Sequence, residues 1–213
     1  ALADTFRFDA YTVASSQADT YDATNNPQGN RLPAGGTFTG TGGTAGTGVS
    51  GVIAANWSVT RDSGADILAV GSQIARTDGL PGTMQRLAIS NPGATSQTIL
   101  IAPLNATRPT VAAGEVWRTQ GAVVASSLTG VQSITLGIEP ASMSGRFIAS
   151  WGGNNVAGSV MSGTKRKMVM EPWPLEIPTG ATIIYIAARI TLAAGGAATL
   201  DLLPGEWTLW RES

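Results

Sequence analysis

Two short motifs contain residue types that could carry catalysis. Ser162 and Lys165 have the S-x-x-K spacing of Ser–Lys hydrolases, in which a desolvated, neutral lysine activates the serine. That chemistry needs the lysine one helical turn after the serine, whereas this segment contains a glycine and reads as a hairpin tip. Glu171 and Glu176 lie on either side of Trp173, and two carboxylates near a tryptophan are a possible glycosidase site. The adjacent prolines, however, indicate an exposed, extended segment. Because the chain also lacks His and Cys, we predict that it is not an enzyme.

A set of loop residues around two tryptophans could bind a sugar. Trp151 precedes the loop GGNN (152–155), and Trp173 lies between two prolines, so both rings are expected at loop edges. A sugar can stack its apolar face on such a ring while amide and guanidinium groups bind its hydroxyls. The alternative is that the rings close the ends of a sandwich, because aromatic side chains are usually buried. The candidate glycan-binding residues are Arg146, Trp151, Asn154, Asn155 and Trp173.

Oxygen ligands for a metal ion occur near the N-terminus. Asp19, Asp22, Asn25 and Asn26 could ligate calcium, but their spacing matches no known calcium loop, and such residues are also ordinary turn formers. We therefore predict no cofactor and no catalytic metal, and a structural calcium ion stays an open alternative.

The composition favours a neutral partner. Only 13% of residues are charged, the net charge is −1, and 27 glycines with many Thr and Ser residues indicate a neutral, hydrogen-bonding surface. Such a surface suits a glycan or an assembly contact better than a nucleic acid or an acidic membrane. The basic run at 165–167 would place its charges on both faces of a strand, so it forms no phosphate groove. No run reaches the roughly 18 apolar residues of a membrane span.

Short strands separated by turns predict an all-β protein. The segments WSVTR (57–61), TMQRLAIS (83–90) and QTILIAPL (97–104) are typical strand patterns, and Ile134, Leu136 and Ile138 alternate onto one face. Turn signals recur every 8–15 residues, which favours a sandwich or barrel. We predict strands at 116–127 and 131–139 as separate elements, and a hairpin turn at the glycines 195–196. We expect Trp57, Trp117, Trp207 and Trp210 to pack in this sandwich.

The chain divides into an N-terminal arm, 1–34, and a sandwich, 35–213. In the arm, Phe6, Phe8 and Tyr11 belong to a strand-like stretch that would attach the protein to a partner's sheet. The alternative is that this stretch is an edge strand of its own sandwich. Its early acidic residues argue against a signal peptide. The junction GTFTGTGGTAGTGVSG (36–51) is either a flexible linker or an ordered, extended start to the sandwich. We favour the ordered interpretation, because threonine prefers extended chain and Phe38 and Val49 can be buried.

The sequence from this junction onward resembles a module of tailed-phage virion proteins. There, a Gly-Thr-rich segment leads into a Trp-x-x-x-Arg strand, matched here by Trp57 and Arg61. The later segments AAGEVWRTQGAVVAS, EIPTGATIIYIAARITLAAGG and ATLDLLPGEWTLWRE are similar to a jelly-roll carbohydrate-binding module of the family 4 type. Asp201 matches the closing Asp-containing strand of such modules. The resemblance covers about 35–213 and leaves the arm uncovered.

This resemblance implies a jelly-roll β-sandwich carried on the surface of a phage particle. The expected function is that of a non-enzymatic capsid decoration, head fibre or tail fibre that adsorbs to host-surface glycans. The alternatives are a carbohydrate-binding module outside a virion and, as a third choice, a glycan hydrolase. Neutral sheet surface and exposed sheet edges predict self-association, with a trimer favoured by resemblance to fibre proteins. Other virion proteins are expected partners, with neither nucleic acid nor membrane insertion.

Overall fold

The fold was analysed in a computed structural model of the chain. The structure describes residues 29–32, 36–76, 80–142, 145–146, 166–170 and 174–212. The strands are β1 (Thr44–Ala45), β2 (Val49–Gly51), β3 (Trp57–Ser63), β4 (Leu68–Ala75), β5 (Thr83–Ser90), β6 (Gln97–Pro103), β7 (Val116–Ser142), β8 (Gly145–Arg146), β9 (Arg166–Met170), β10 (Leu175–Glu176), β11 (Ile183–Leu202) and β12 (Thr208–Arg211). A 3-10 turn, Asn105–Thr107, lies between β6 and β7. No helix in the described ranges has the length and apolarity needed to cross a bilayer.

Two long antiparallel ribbons build the fold. In the first, β3 pairs with β6 and β4 pairs with β5, so the segment from β3 to β6 forms a hairpin that bends in the middle. In the second, β7 and β11 pair along most of their length. β11 joins the ribbons, because its first half pairs with β6 and its second half pairs with β5. Bent antiparallel ribbons around one core make a jelly-roll β-sandwich, so the predicted fold class is confirmed.

The two halves of the sandwich share one hydrophobic core. One half contains β3, β6, the start of β11 and the end of β7, and the other contains β4, β5, the end of β11 and the middle of β7. Alternate residues of both halves belong to the same buried cluster, as the period of two in their sequences predicts. Ile134, Leu136 and Ile138 are all buried in it, which confirms the predicted inward face.

Three aromatic rings anchor one end of this core. Phe38 stacks on Trp57 with ring centroids 4.2 Å apart, and Trp207 meets both rings edge-on. The indole N–H of Trp207 donates to the carbonyl of Ala122 at 2.8 Å, so its polar atom is satisfied although the ring is fully buried. Trp117 is also buried and Trp210 is partly buried. The predicted packing role of these four tryptophans is therefore confirmed.

The Gly-Thr stretch 36–51 is ordered and closes the side of the sandwich. β1 pairs in parallel with β3, and β2 pairs in parallel with β4, so the stretch connects the edges of the two halves. Glycine is required at Gly43, because a Cβ there would lie 2.1 Å from the carbonyl oxygen of Ala54. This confirms the interpretation of the junction as an extended start to the sandwich.

The predicted hairpin at 195–196 is wrong. The segments before and after these glycines both pair with β7, with Leu192 opposite Val131 and Ala197 opposite Thr129. Residues 193–196 therefore form a bulge opposite the single residue Gly130, and β7 is one strand where we predicted two. The side chain of Asn91 donates to the carbonyls of Leu192 and Ala193, which satisfies backbone groups that the bulge removes from the ladder.

Residues 29–32 lie along β12. The backbone N–H of Arg31 donates to the carbonyl of Leu209 at 2.7 Å, and the side chain of Asn30 bonds with Trp207 and Leu209. Leu32 is buried in the common core. The first described residues of the sandwich therefore lie beside its last strand, β12. The division into arm and sandwich at residue 34 stays a prediction.

Candidate functional site

A polar cluster lies on the outer face of the half that contains β3 and β6. Cross-strand register places Tyr185 opposite Glu139 and Ala187 opposite Gly137. Arg189 lies two residues further along β11, opposite Thr135. These residues alternate with the core residues Ile184, Ile186, Ala188 and Ile190, so they face away from the core. Asp62, at the end of β3, completes the cluster by pairing with Arg189.

Arg189 joins two carboxylates on this face. Its Nε donates to Oδ2 of Asp62 at 2.9 Å, and its Nη1 donates to Oε1 of Glu139. The exposed fractions of the three side chains are 16% for Arg189, 12% for Asp62 and 3% for Glu139, so the pairs are poorly screened by water. Burial acts to lower the pKa of Arg189, but the two carboxylates outweigh it and raise the pKa. The guanidinium is therefore a permanent cation that fixes both acids in position.

Tyr185 fixes the second oxygen of Glu139. Its hydroxyl donates to Oε2 of Glu139 at 2.5 Å, and the ring is 8% exposed. Burial, together with the hydrogen bond to Glu139 and its negative charge, raises the pKa of Tyr185 to about 12. The phenol thus remains a hydrogen-bond donor at physiological pH. A nucleophilic tyrosine would need the opposite shift, so Tyr185 is not activated for attack.

Arg108 covers the tyrosine ring. Its guanidinium carbon lies 3.9 Å from the ring centroid, in a cation–π arrangement, and its Nε donates to the carbonyl of Pro103 at 3.3 Å. Burial lowers the pKa of Arg108, with the nearby Tyr185 and Glu139 acting in the opposite direction. Arg108 lies above Tyr185 because the 3-10 turn after β6 directs the backbone back over β11. Its terminal N–H groups are available as donors beside the acidic pair.

Gly137 lies on the strand that carries Glu139. An ideal Cβ at this glycine would meet no atom of the described residues within 4 Å, and its φ is not in the left-handed region. Its cross-strand neighbour Ala187 is also small. The face therefore combines two guanidinium groups and two carboxylates that are held in place, beside a glycine that adds no side chain to the sheet surface. Such a set can bind hydroxyl groups, each of which donates to one partner and accepts from another.

Asp201, the residue that matches the closing strand of the resembling modules, has a structural role. It is fully buried, and its two carboxylate oxygens accept from Nε and Nη2 of Arg86 at 2.6 and 2.8 Å. This bidentate pair lies on the opposite half of the sandwich, across β5 and β11. The hydrogen bond to Asp201 raises the pKa of Arg86 against the effect of burial.

One of the predicted glycan-binding residues, Arg146, has a described backbone position. The backbone of Arg146 pairs with Ala141, on the strand that carries Glu139 two residues earlier. The other four candidates lie outside the described residues: Trp151, Asn154, Asn155 and Trp173. Their role stays a prediction.

The remaining predicted motifs are also mostly outside the described residues. This holds for the arm residues Phe6, Phe8 and Tyr11, the four oxygen ligands near the N-terminus, the S-x-x-K motif and Glu171. Glu176 is described and exposed, as expected. Among the described residues no group of three or more acidic side chains could hold a metal ion.

The polar cluster was not predicted from the sequence. Its members are separated by up to 127 residues, as between Asp62 and Arg189, and only the strand register brings them together. One signal was present, because Tyr185 and Arg189 interrupt ATIIYIAARITL, the longest apolar run of the chain. A charged residue in such a run requires a partner, so it marks a buried ion pair or a binding site.

No protein-family model and no curated protein matches the chain. Among solved structures, it is similar to the enzymatically active domain of tailspike protein 4 from bacteriophage CBA120, with 13% identity and a TM-score of 0.43 over 74% of this chain and 20% of that one. It is also similar to a carbohydrate-binding module of the β-sandwich superfamily, with 8% identity and a TM-score of 0.46 over 71% of this chain and 56% of that one. A third match is the C-terminal family 22 carbohydrate-binding module of Clostridium thermocellum Xyn10B, with 16% identity and a TM-score of 0.38 over 71% of this chain and 88% of that one.

The chain spans about a fifth of the tailspike domain and about half of the second structure. At TM-scores below 0.5, these similarities carry no argument about the site or the activity of this chain.

Proposed function

We propose that the chain is a non-enzymatic, glycan-binding jelly-roll module. The observation that carries this proposal is the polar cluster on the outer face, where Arg189 binds Glu139 and Asp62 and Arg108 covers Tyr185. A sugar offers neighbouring hydroxyl groups that both donate and accept, and the cluster offers acceptors and donors side by side. Because these groups are held by one another, little conformational entropy is lost when a ligand binds.

The charges of the cluster fit a glycan better than a nucleic acid. Two guanidinium groups face two carboxylates, so the formal charges cancel. A nucleic-acid site needs an excess of positive charge to replace the counterions of the phosphates. The net charge of −1 of the whole chain supports the same conclusion.

The same geometry supports the absence of catalysis. Glycoside hydrolysis by two carboxylates requires one of them to be free to give a proton and the other to attack or to activate water. Here Glu139 and Asp62 are both bound to Arg189, and Tyr185 occupies the second oxygen of Glu139. These contacts hold the acids as carboxylates that accept hydrogen bonds.

A glycan array tests the binding proposal. We expect the purified chain to retain at least one bacterial surface polysaccharide, and Arg108→Ala to weaken that binding by about tenfold to a hundredfold, because hydrogen bonds to charged groups contribute about 1.5–3 kcal/mol. Arg118→Ala is the matched control, since Arg118 pairs with Glu212 beside β12, away from the cluster. Equal loss in both variants, or no retained glycan, would contradict the proposal.

The finer proposal is that this module belongs to a phage particle, as a capsid decoration, head fibre or tail fibre at the virion surface. It rests on the sequence resemblance of the junction and of the closing segments. In this proposal the arm attaches the sandwich to other virion proteins, and the chain forms a homo-oligomer, with a trimer favoured. A carbohydrate-binding module outside a virion is the alternative.

Deleting residues 1–13 separates the two possibilities. We expect the shortened chain to melt almost as before but to fail to join particles, as judged by mass spectrometry and electron microscopy of purified virions. Incorporation without the arm would contradict the attachment role. A sharp monomer mass in light scattering at micromolar concentration would contradict the trimer while leaving glycan binding intact.

A further inference from the structure

Trp210 differs from the other tryptophans that the structure describes. Trp57, Trp117 and Trp207 are at most 3% exposed, and the indole N–H of each donates to an oxygen atom of the chain. Trp210, by contrast, is only partly buried. No described residue accepts from its N–H, and this nitrogen is open to solvent. Part of the ring and its polar edge are therefore available to a molecule outside the chain.

The strand register places polar side chains beside this ring. β12 pairs with β7 so that Trp210 lies opposite Arg118 and Thr208 lies opposite Gln120. The intervening residues of both strands are buried, so these two pairs point to the outer face of the sheet. Directly opposite side chains have Cβ atoms about 4.5–5.5 Å apart, and the next outward pair follows about 6.7 Å along the strands. The four side chains therefore form one continuous patch.

The groups on the two sides of Trp210 along the strands differ in how they are used. On one side, Arg118 is bound to Glu212 in an ion pair whose side chains are each 36% exposed. On the other side, Gln120 and Thr208 are partly exposed, and their side chains make no hydrogen bond within the described ranges. An amide and a hydroxyl can each donate and accept. A ring, a free N–H, a free amide and a free hydroxyl thus share one solvent-facing surface.

This combination fits an uncharged sugar unit. The C–H groups of a pyranose pack on an indole ring, and its hydroxyls can accept from the indole N–H and exchange hydrogen bonds with Gln120 and Thr208. The opposite charges of Arg118 and Glu212 cancel, so the patch has no excess charge that would attract a phosphate or a carboxylate.

We propose that Trp210, Gln120 and Thr208 form a second sugar-binding site, which takes an uncharged pyranose unit on the outer face of β7 and β12. The site is separate from the polar cluster, because Gln120 lies near the start of β7 and Glu139 lies near its end. The proposal rests on the proposed glycan-binding function and adds a second place of contact with the polysaccharide and the class of sugar bound there.

Substitution of the ring tests the site. We expect Trp210→Ala to weaken binding of the polysaccharide retained on the array at least about tenfold, because the ring supplies the largest contact area. Trp210→Phe should weaken it about twofold to tenfold, since it keeps an aromatic face but lacks the N–H. Val70→Ala is the matched control, because Val70 is an exposed apolar side chain on β4. Arg118→Ala keeps all three proposed contacts and should also bind nearly as the unchanged protein does. Melting temperatures show whether each variant is folded.

Tryptophan fluorescence locates the bound sugar. The probes are the retained polysaccharide, hexasaccharides of β-1,4-linked glucose, xylose and mannose, and hexagalacturonate as the acidic counterpart. We expect an uncharged probe to shift the emission and to protect it from quenching by acrylamide, and the acidic probe to do neither. The response should disappear in Trp210→Phe and persist in Arg108→Ala at saturating probe, because only the first variant changes the ring.

The outcomes separate this inference from the function on which it rests. Weaker binding by both Trp210 variants, with loss of the fluorescence response, supports the inference. Unchanged binding by these variants, or an equal response to the acidic probe, overturns it while glycan binding at the cluster stands. A changed oligomer mass in light scattering with unchanged sugar binding assigns the ring to a protein contact and also overturns it. Loss in the Trp210 variants but not in Arg108→Ala leaves the second site standing and contradicts the role of the cluster. If neither the array nor the probes give binding, the proposed function and the inference both fail.

Discussion

The buried hydroxyl of Tyr185 makes stability depend on pH in the alkaline range. Its pKa rises from the ordinary value of 10.0 to about 12, a difference of about two units. One unit corresponds to about 1.36 kcal/mol, so the protonated phenol contributes about 2–3 kcal/mol to the free energy of unfolding. The unfolded chain loses this proton near pH 10 and the folded chain near pH 12. Stability is therefore complete below about pH 10 and falls as the pH rises through this window.

Tyr185→Phe should remove this dependence. At pH 8 we expect the variant to be less stable by about 1–3 kcal/mol, because Glu139 loses a donor while staying buried. The difference between the two proteins should then shrink by about 2–3 kcal/mol between pH 9 and pH 12. Urea unfolding followed by tryptophan fluorescence gives these free energies, and subtraction removes groups that both proteins share. A difference that stays constant over this range would refute the reasoning.

Two further predictions concern the sandwich itself, at the Arg86–Asp201 ion pair and in the Gly-Thr junction. Arg86→Met should lower the free energy of unfolding by about 3–5 kcal/mol, because it leaves the fully buried Asp201 without its partner, whereas the double variant Arg86→Met/Asp201→Leu should regain most of that loss in denaturant titrations. A double variant as unstable as the single one would contradict this account. Gly43→Ala should destabilise by about 2–4 kcal/mol in thermal unfolding, since its methyl group would overlap a backbone carbonyl, while the neighbouring Gly42→Ala should stay within about 0.5 kcal/mol. Similar melting of the two alanine variants would show that the junction is not closely packed.

The strands were predictable because their side-chain pattern is local. The segment TMQRLAIS coincides with β5 (Thr83–Ser90), and the alternation through Ile134, Leu136 and Ile138 matches burial. The bulge at 193–196 was not predictable, because its glycines are typical of a hairpin and the contacts that stabilise the bulge come from Asn91, about a hundred residues away. The same glycines fit a hairpin and a bulge equally well. The contacts of the distant Asn91 side chain stabilise the bulge.

The candidate site was less accessible to sequence reasoning than the fold. Glu139 and Tyr185 come from different strands, and their pairing depends on a register that no local pattern specifies. The sequence predicts a site at loop tryptophans, because exposed aromatic rings are typical of sugar-binding sites. A flat sheet face with one arginine between two acids gives no such local signal. In the sequence, this face shows itself as a polar residue within an otherwise apolar strand.

The shared ribbon of β7 and β11 has a consequence for synthesis of the protein. β5 and β6 each gain their second neighbour only when β11 has been made, and β7, which pairs earlier with the short strands β8, β9 and β10, gains its long partner only then. A nascent chain that ends before Ile183 would therefore hold several strands with bare edges and no closed half. Contacts between such distant segments form slowly, and unpaired edges invite association with other chains. The segment from Ile183 onward thus decides when this sandwich can be completed, and chains that end before it should aggregate rather than form a smaller domain.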